Sequence, residues 1–415
     1  MEGTLRSISL FTGAGGLDLG FEARGFHPIA CFENDLDSRS TLIANRPNWL
    51  LPGTGDIEEL KPSQLMADLN LKAGDLDLIL GGPPCQPFSK SAYWARSSFE
   101  PIDDARTRPL LKLNRLIETA LPKAIVLENV GVVAKEGDGV LKFYQRTLDR
   151  INRLSGTKYL AQLVSLNAAD YGVPQLRERA FVVALRDGQT FVVPPALNSA
   201  GERRTAWDAF GDLFLSQTER GELQMRGKWA DLLPSIPEGL NYLHHTSRGG
   251  GTPLFGWRTR YWSFLLKLAK DKPAWTIQAS PGPSTGPFHW ENRLLSVMEM
   301  KRLQTFPDNY VLKGSYASQR RQLGNAVPSA LAEAIAGQLR EALGLGAAAS
   351  ATTFARTRRD DCPAPEAVMP VPSAYMSLVA EHAEHPGTGL GPGAQRRTAG
   401  LKPRVTEHGP SFRSR

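Results

Sequence analysis

A cysteine stands at position 85, in a loop that follows a short apolar run, Leu78–Leu80. The run ends in two glycines, and prolines at 83, 84 and 87 surround the cysteine. Apolar residues followed by Gly and Pro are typical of the end of a buried parallel strand, where ligands of open α/β sheets bind. A free cysteine is most often a small buried hydrophobe, whereas a nucleophilic thiolate needs a partly open, polar setting. By position alone, Cys85 suits packing and nucleophilic catalysis equally well.

Further charged side chains stand at the ends of two other predicted strands. Glu128 lies near the end of the apolar segment Ala124–Val130. Arg177 and Arg179 precede the next apolar segment, 180–185. Taken singly, the glutamate suits an ordinary salt bridge and the arginines suit surface positions. Because neighbouring strands end at one edge of a sheet, their combination with the cysteine predicts a single cleft.

The beginning of the chain has the pattern of a nucleotide-binding unit. An apolar strand, Ser7–Phe11, runs into a glycine-rich turn at 12–16 and then into a segment with helical spacing. Glycines let the backbone approach a ligand, and a helix N-terminus offers free N–H groups. The spacing G-x-G-G is less diagnostic than G-x-G-x-x-G, so an ordinary tight turn stays open.

Two acids strengthen this interpretation. Glu33, at the end of the second predicted strand, suits a pair of ribose hydroxyls. Asp56 follows a turn and suits an adenine amino group. The alternatives are a solvent-facing glutamate and an aspartate that caps a helix.

The composition describes a chain able to bury a large core. It has 415 residues, 41% of them hydrophobic, and a net charge of +7 with a pI near 9.3. The basic balance favours a polyanionic partner without requiring one. No apolar run approaches the roughly 20 residues of a spanning helix, and the N-terminus lacks a signal-peptide pattern, so we expect a cytoplasmic protein without membrane contact. The three cysteines form no C-x-x-C pair, which indicates neither a zinc site nor disulfides.

Changes in composition divide the chain into four parts. Residues 1–187 and 291–345 have strand and helix patterns, whereas 188–290 is rich in Gly, Pro, Trp and Arg. We therefore predict a large domain built from the first and third parts, with a smaller domain between them. Arginines alternate with aromatics at 257–262, which suits phosphate and base contact, although an aromatic core with solvated arginines explains it better. Residues 346–415 are predicted to be a mostly disordered, mildly basic tail, so truncation near residue 345 should leave activity nearly intact.

The regular parts predict further elements. Helical spacing indicates helices at 110–121, 141–154, 294–304 and 328–343. An apolar segment at 159–166 indicates a strand, and the segment 322–328 is predicted to be a loop.

Four short motifs together resemble those of the DNA (cytosine-5) methyltransferases of bacterial modification systems. They are GPPCQ at 82–86, ENV at 128–130, QxRxR at 175–179 and GNAVP at 324–328, and they occur in the family's usual order. The resemblance covers residues 7–187 and about 285–340. It implies an α/β fold: a Rossmann-like, S-adenosylmethionine-dependent domain with a mixed, mostly parallel sheet and helices on both faces. The unmatched part would be a smaller, irregular target-recognition domain.

The resemblance also implies roles for the residues that match the motifs. Cys85 would be the nucleophile that adds to C6 of cytosine, and Glu128 would engage the ring at N3. Arg179 would lie near the base O2, and Arg177 would support the site or contact phosphate. S-adenosylmethionine would be the methyl donor, and no metal is implied. The cofactor-binding residues would be Phe11, Gly13, Gly15, Gly16, Glu33, Asp56, Ile57, Pro84, Asn325 and Val327.

A substrate and partners follow from the same resemblance. The substrate would be a cytosine in a short, specific sequence of double-stranded DNA, flipped out because its C5 is inaccessible in a stacked duplex. The protein would be a monomer that protects a host genome from a cognate restriction endonuclease. Two alternatives stay open: an RNA cytosine-5 methyltransferase and a DNA-binding protein with a silent site. A nicotinamide-dependent oxidoreductase would rest on the glycine turn alone and leaves the Pro-Pro-Cys loop unexplained.

Overall fold

The protein is built on a six-stranded sheet. This computed structural model describes residues 4–84, 108–130, 139–197, 199–258, 261–346 and 360–380. The strands within these ranges are β1 (Leu5–Leu10), β2 (Phe26–Phe32), β3 (Leu78–Gly81), β4 (Ala124–Val130), β5 (Gln162–Asn167), β6 (Gln175–Leu176), β7 (Glu178–Leu185) and β8 (Ala274–Trp275).

The spatial order of the large sheet is β2-β1-β3-β4-β7-β5. The pairs β1–β2, β1–β3 and β3–β4 are parallel, whereas β7 runs antiparallel to both of its neighbours, β4 and β5. Strands β6 and β8 form a separate parallel pair. The prediction of a mixed, mostly parallel sheet is therefore confirmed.

Helices cover both faces of this sheet. No helix in the described ranges is both long and apolar enough to cross a lipid bilayer. The helices in these ranges are α1 (Gly16–Glu22), α2 (Leu36–Asn45), α3 (Pro62–Asp68), α4 (Arg108–Ala120), α5 (Gly139–Ser155), α6 (Ala206–Phe210), α7 (Gln217–Glu222), α8 (Val297–Leu303), α9 (Tyr316–Asn325) and α10 (Ser329–Ala342).

Alternate residues of the central strands supply the cores of the two faces. Ile8 and Leu10 of β1 lie in one cluster with α4 and α5. Leu78 and Leu80 of β3 lie in another cluster with α1 and α10. Burial on both faces is the reason that these strands are almost continuously apolar in sequence.

Most predicted elements are present within a few residues of their expected bounds, but one loop is wrong. The segment 322–328 was expected to be a loop, yet α9 continues to Asn325. The side chain of Ser315 caps the start of α9 by accepting a hydrogen bond from the N–H of Ser318. Leu323 is fully buried on this helix, which favours helical continuation through the motif. The connection to α10 is therefore only three residues long.

The segment 188–290 has little regular structure and contributes to two hydrophobic clusters. The first, called the junction cluster here, joins Ala206, Phe210 and Trp290 to Ala14 and Leu323 of the large unit. The second, called the recognition cluster, has an aromatic character and includes Tyr242, Trp229, Phe255, Phe264 and Phe288. The boundaries at 188 and 290 stay a prediction, because the flanks of this segment pack with the large unit.

The predicted disorder of the tail does not extend to residues 360–380. This stretch packs against the recognition cluster, where Tyr375 is only 8% exposed. Its hydroxyl donates a hydrogen bond of 2.7 Å to the carbonyl of Lys228. Residues 347–359 and 381–415 lie outside the described residues. This stretch is held by a few residues that are widely spaced in sequence. It therefore lacks the periodic apolar pattern by which a packed segment can be recognised in a sequence.

Candidate active site

The carboxyl ends of β1 to β4 meet at one edge of the sheet, because these four strands are parallel. The antiparallel strand β7 begins at the same edge, and its register places Arg179 opposite Val130 of β4. Glu33 follows β2, and Glu128 lies within the last residues of β4. The sheet therefore brings together residues that are far apart in sequence, as ligand sites of open α/β sheets require.

Glu128 and Arg179 form a buried ion pair at this edge. Arg179 Nε lies 2.8 Å from Glu128 Oε1, and the two side chains are only 10% and 12% exposed. Arg179 also donates from Nη1 to the carbonyl of Glu178 at 2.8 Å. The guanidinium is thus held from two sides and points toward the carboxyl group.

Burial changes the acidity of both members of this pair. Desolvation raises the pKa of Glu128, and the positive charges of Arg179 and Arg177 counteract that rise without cancelling it. Desolvation also lowers the pKa of Arg179, while Glu128 opposes the decrease. A carboxyl group in this state gains a proton more readily than an exposed one, so it can serve as a hydrogen-bond donor.

Arg177 is completely buried, and its guanidinium is hydrogen-bonded to backbone carbonyls. It donates from Nη1 to the carbonyl of Ile277 at 3.1 Å and from Nη2 to that of Ala326 at 3.0 Å. A further hydrogen bond from Nη2 reaches the carbonyl of Gly324. Of the two roles expected for Arg177, these contacts favour support of the site, because a buried guanidinium cannot reach a phosphate.

The loop after β3 passes directly beside Glu128. A side chain at Gly81 would place its Cβ 2.3 Å from the carbonyl oxygen of Leu10. At Gly82, a Cβ would lie 3.2 Å from Glu128 Oε2. The loop can approach β1 and the carboxyl group this closely because both positions are glycine. Pro84 is exposed at the end of the described stretch, and the predicted nucleophile, Cys85, lies outside the described residues.

The glycine turn after β1 is held by Glu33. Gly13 and Gly15 adopt φ values of 58° and 79°, and Phe11 adopts 56°, all in the left-handed region. Glu33 Oε2 accepts from the N–H of Gly13 at 2.7 Å, and Oε1 accepts from the N–H of Asp35 at 2.8 Å. The predicted strand-end acid therefore lies against the predicted glycine turn, with further acceptor capacity on each oxygen.

The C-terminal part of the chain closes over the same turn. A Cβ at Gly16 would lie 2.4 Å from the carbonyl oxygen of Val327, so these residues are in direct contact. Asn325 is exposed at the end of α9, whereas the side chain of Val327 is buried. Val327 thus lies against the glycine turn, and Asn325 ends the helix two residues before it.

Asp56 caps a helical turn, as the alternative interpretation predicts, and it also lies close to Glu33, as the functional interpretation requires. Its Oδ1 accepts from the N–H of Glu58 at 2.8 Å, which caps the 3-10 turn Ile57–Glu59. The preceding glycine, Gly55, lies directly against the carbonyl of Glu33. Asp56 also lines a cavity of about 290 Å³. The structure therefore places both acids and the buried Ile57 in one neighbourhood.

Two positioning residues were missed by the sequence analysis. Tyr310 donates its hydroxyl to the carbonyl of Ala14 at 2.8 Å and so clamps the glycine turn. Gln175, a member of the QxRxR motif with no role assigned, accepts from the N–H of Ile277 at 3.0 Å. No local signal marks Tyr310, because its partner is 296 residues away.

The described residues contain no group of three or more side chains suited to hold a metal ion. The site consists instead of a glycine turn with a strand-end acid, beside a buried carboxyl–guanidinium pair. On this mostly parallel sheet, the arrangement defines a Rossmann-like methyltransferase fold.

A family model places this fold more specifically. The model for C-5 cytosine-specific DNA methylases matches residues 5–341. The chain therefore belongs to the C-5 cytosine-specific DNA methylase family, and the predicted resemblance is confirmed. Its enzyme class is that of the DNA (cytosine-5) methyltransferases.

Named relatives agree with this assignment. The chain is 38% identical over 378 residues to the type II methyltransferase M.SacI of Streptomyces achromogenes, a match that covers 83% of this chain and 95% of the relative. It is 31% identical over 343 residues to M1.HphI of Haemophilus parahaemolyticus, with 80% and 86% covered.

Solved structures share the fold at lower identity. A mutant of Dnmt2 from Spodoptera frugiperda aligns with a TM-score of 0.57 and 17% identity, over 81% of this chain and 99% of that one. The methyltransferase EhMeth of Entamoeba histolytica aligns with a TM-score of 0.56 and 18% identity, over 82% and 99%.

Proposed function

We propose that this protein transfers a methyl group from S-adenosylmethionine to C5 of a cytosine within a short, specific sequence of duplex DNA, with Cys85 as the covalent nucleophile. The observation that carries this proposal is the buried Glu128–Arg179 pair beside the loop that leads to Cys85. Membership of the cytosine-specific DNA family favours DNA over RNA as the substrate.

The chemistry explains why a thiolate is needed. Cytosine C5 is too weak a nucleophile to accept a methyl group directly. A bond from the Cys85 sulfur to C6 moves the C5–C6 π electrons onto C5, which would then bond to the methyl carbon while the carbon–sulfur bond of the sulfonium breaks and a neutral thioether leaves with that electron pair. Transfer of the C5 proton to solvent water returns the C–H electron pair to the C5–C6 bond and expels the Cys85 thiolate. The ring is methylated and Cys85 is regenerated.

Glu128 and Arg179 stabilise the charge that develops on the ring. Because burial raises the pKa of Glu128, its protonated form can donate to cytosine N3. Arg179 supplies a positive charge near O2. Without a bound base, the opposite charges of the two side chains lie 2.8 Å apart, which avoids an unpaired buried charge.

The residues around the glycine turn fit S-adenosylmethionine, which supplies an electrophilic methyl group when bound. Each Glu33 oxygen accepts one backbone N–H and retains capacity for a ribose hydroxyl. Asp56 and Ile57 would contact the adenine edge, and Phe11 its face. Asn325, Val327 and Pro84 would lie on the amino-acid side of the cofactor.

The substrate must leave the helix to reach this cleft, and a flipped base satisfies that need. The segment 188–290 would read the flanking sequence through its exposed polar and aromatic side chains. Because the named relatives are type II methyltransferases, we further propose a cytoplasmic monomer that works beside a cognate restriction endonuclease.

Bisulfite sequencing of plasmid DNA from expressing cells tests the proposal. We expect protected cytosines at one short motif with the natural chain and none with Cys85→Ala. Cys362→Ala is the matched control, because it removes an exposed thiol from another part of the chain and should leave protection unchanged. Protection that survives Cys85→Ala would refute the mechanism. Protection confined to RNA in a parallel bisulfite experiment would refute the DNA substrate.

A further inference from the structure

Residues 360–380, called the strap here, lie outside the family match but cross two parts of the molecule. The family model ends at residue 341. Near its start, the strap accepts a hydrogen bond of 3.0 Å at Asp361 Oδ1 from the indole of Trp207. Further along, the N–H of Met369 donates to the carbonyl of Pro234 at 3.1 Å. Trp207 packs on the junction cluster, and Tyr375 belongs to the recognition cluster.

The centre of the strap supplies a charge to a buried ionic group. Lys270 Nζ lies 2.8 Å from Glu238 Oε1 and 2.8 Å from Glu366 Oε1. The side chains of Lys270 and Glu238 are only 3% and 5% exposed, whereas that of Glu366 is 55% exposed. The N–H of Glu366 donates to Glu238 Oε1 at 2.7 Å, so the strap is bonded through backbone as well as side chain.

A second buried lysine lies in the same group. Lys267 is 3% exposed, and desolvation lowers its pKa to about 8, against the opposing effect of Glu238 and Glu366. Glu366 therefore supplies the second carboxylate for two buried lysines. Because its side chain is 55% exposed, solvent screens this attraction, and its contribution to stability is that of a partly exposed ion pair.

The far end of the strap is anchored by an aromatic stack. The ring of Tyr375 lies on that of Trp229, with centroids 5.8 Å apart and planes inclined by 17°. Its hydroxyl donates to the carbonyl of Lys228 at 2.7 Å. Val371 and Leu378 pack against the same cluster. The strap therefore packs against the recognition cluster and adds apolar side chains to its core.

We infer that the strap is a positioning element for DNA recognition: it holds the recognition cluster together and ties it to the junction cluster. The link to DNA rests on the proposed function, whereas the structural role does not. The strap makes no described contact with the glycine turn, so its loss should weaken DNA binding and leave cofactor binding unchanged.

Two truncations and two matched pairs of point variants test this inference. A chain ending at residue 346 lacks the strap, and a chain ending at 380 retains it. Tyr375→Ala removes the buried anchor, and Met376→Ala removes its 49% exposed neighbour. Glu366→Gln removes the charge that pairs with Lys270, and Asp360→Asn removes an exposed charge elsewhere on the strap. The measurements are thermal unfolding, S-adenosylmethionine affinity by titration calorimetry and DNA affinity by anisotropy.

We expect the chain ending at 346 and Tyr375→Ala to lower Tm by about 4–7 °C, and Glu366→Gln to lower it by only about 1 °C, because its side chain is 55% exposed. The first two should weaken DNA binding at least about tenfold at an unchanged cofactor affinity. The chain ending at 380 and the two control variants should match the natural chain. If the chain ending at 346 fails to fold, the full-length Tyr375→Ala variant provides the test.

Unchanged Tm and DNA affinity in Tyr375→Ala would overturn the inference. Equal weakening of cofactor binding would also overturn it, because it would indicate general unfolding. Thermal unfolding needs no substrate, so a failure of the strap is distinguishable from a failure of the proposed methylation, which the bisulfite experiment measures on the natural chain.

Discussion

Replacement of Arg177 by Met should separate cofactor binding from catalysis. The guanidinium is fully buried and holds three backbone carbonyls, two of them in the GNAVP segment. Methionine fills a similar volume but donates no hydrogen bond. The carbonyls of Gly324 and Ala326 would then lose a partner in a site without solvent, and the adjoining Val327 would no longer be held against the glycine turn.

The expected loss of stability in Arg177→Met can be worked out from these contacts. Loss of three hydrogen bonds from a charged donor lowers the free energy of unfolding by at most about 5–9 kcal/mol. Part of this loss is offset, because the variant no longer has to bury a charge. We expect a loss of about 3–5 kcal/mol in the free energy of unfolding. With an unfolding entropy of about 0.7 kcal/mol/K for roughly 340 ordered residues, Tm should fall by about 4–7 °C. The dissociation constant of S-adenosylmethionine should rise at least about tenfold.

Arg179→Met is the matched comparison, two residues along the same motif. It removes the cation beside Glu128, whose raised pKa allows it to become neutral without a partner. Cofactor affinity should therefore be unchanged, while kcat should fall by roughly 10²–10³-fold. Calorimetric titration and single-turnover methylation measure the two quantities. The reasoning is refuted if Arg177→Met keeps Tm within about 1 °C and cofactor affinity within about twofold of the natural chain.

Three other predictions concern this site and Asp18, a buried residue of α1. Glu128→Ala should lower kcat by about 10²–10⁴-fold with DNA and cofactor affinity retained; a normal rate of methylation would exclude Glu128 as the acid at N3. Gly16→Ala should weaken cofactor binding in calorimetry and lower Tm, because its Cβ would meet the carbonyl of Val327 at 2.4 Å; unchanged binding would mean that this contact is unimportant. Burial raises the pKa of Asp18 from 3.8 to about 7, so its contribution to stability is present below about pH 4 and is lost as pH rises toward 7. Asp18→Asn should therefore stabilise the protein by up to about 4 kcal/mol above pH 7 and by little near pH 4, and a pH-independent difference in Tm would contradict this.

The expectation about truncation changes in the light of the fold. Low apolar content suggested that everything past residue 345 is dispensable. The buried ring of Tyr375 and the ion pair of Glu366 with Lys270 contradict this for the strap. A cut at 380 is the truncation that should now leave activity intact.

Strand positions could be predicted because burial on both faces produces a continuous apolar run, as at Ala124–Val130, whose bounds were predicted correctly. The GNAVP motif misled the prediction of local structure, because its glycine and proline favour a loop. In the structure Gly324 is helical, and its missing Cβ allows the backbone of Ala279 to approach within 2.4 Å of that position. That contact lies between segments far apart in sequence, so no local pattern reveals it.

The sequence by itself determined the family, the mostly parallel sheet and the set of residues at its edge, since motif spacing and apolar periodicity are local properties. Tertiary structure alone decided how these residues are paired. It joined Glu128 to Arg179, and it turned Arg177 inward to a carbonyl 147 positions away. It also placed Glu366 beside two buried lysines. The burial of a charged side chain and the identity of its partner depend on which distant segments meet. Burial and partner together determine whether that side chain acts on a substrate or stabilises the fold.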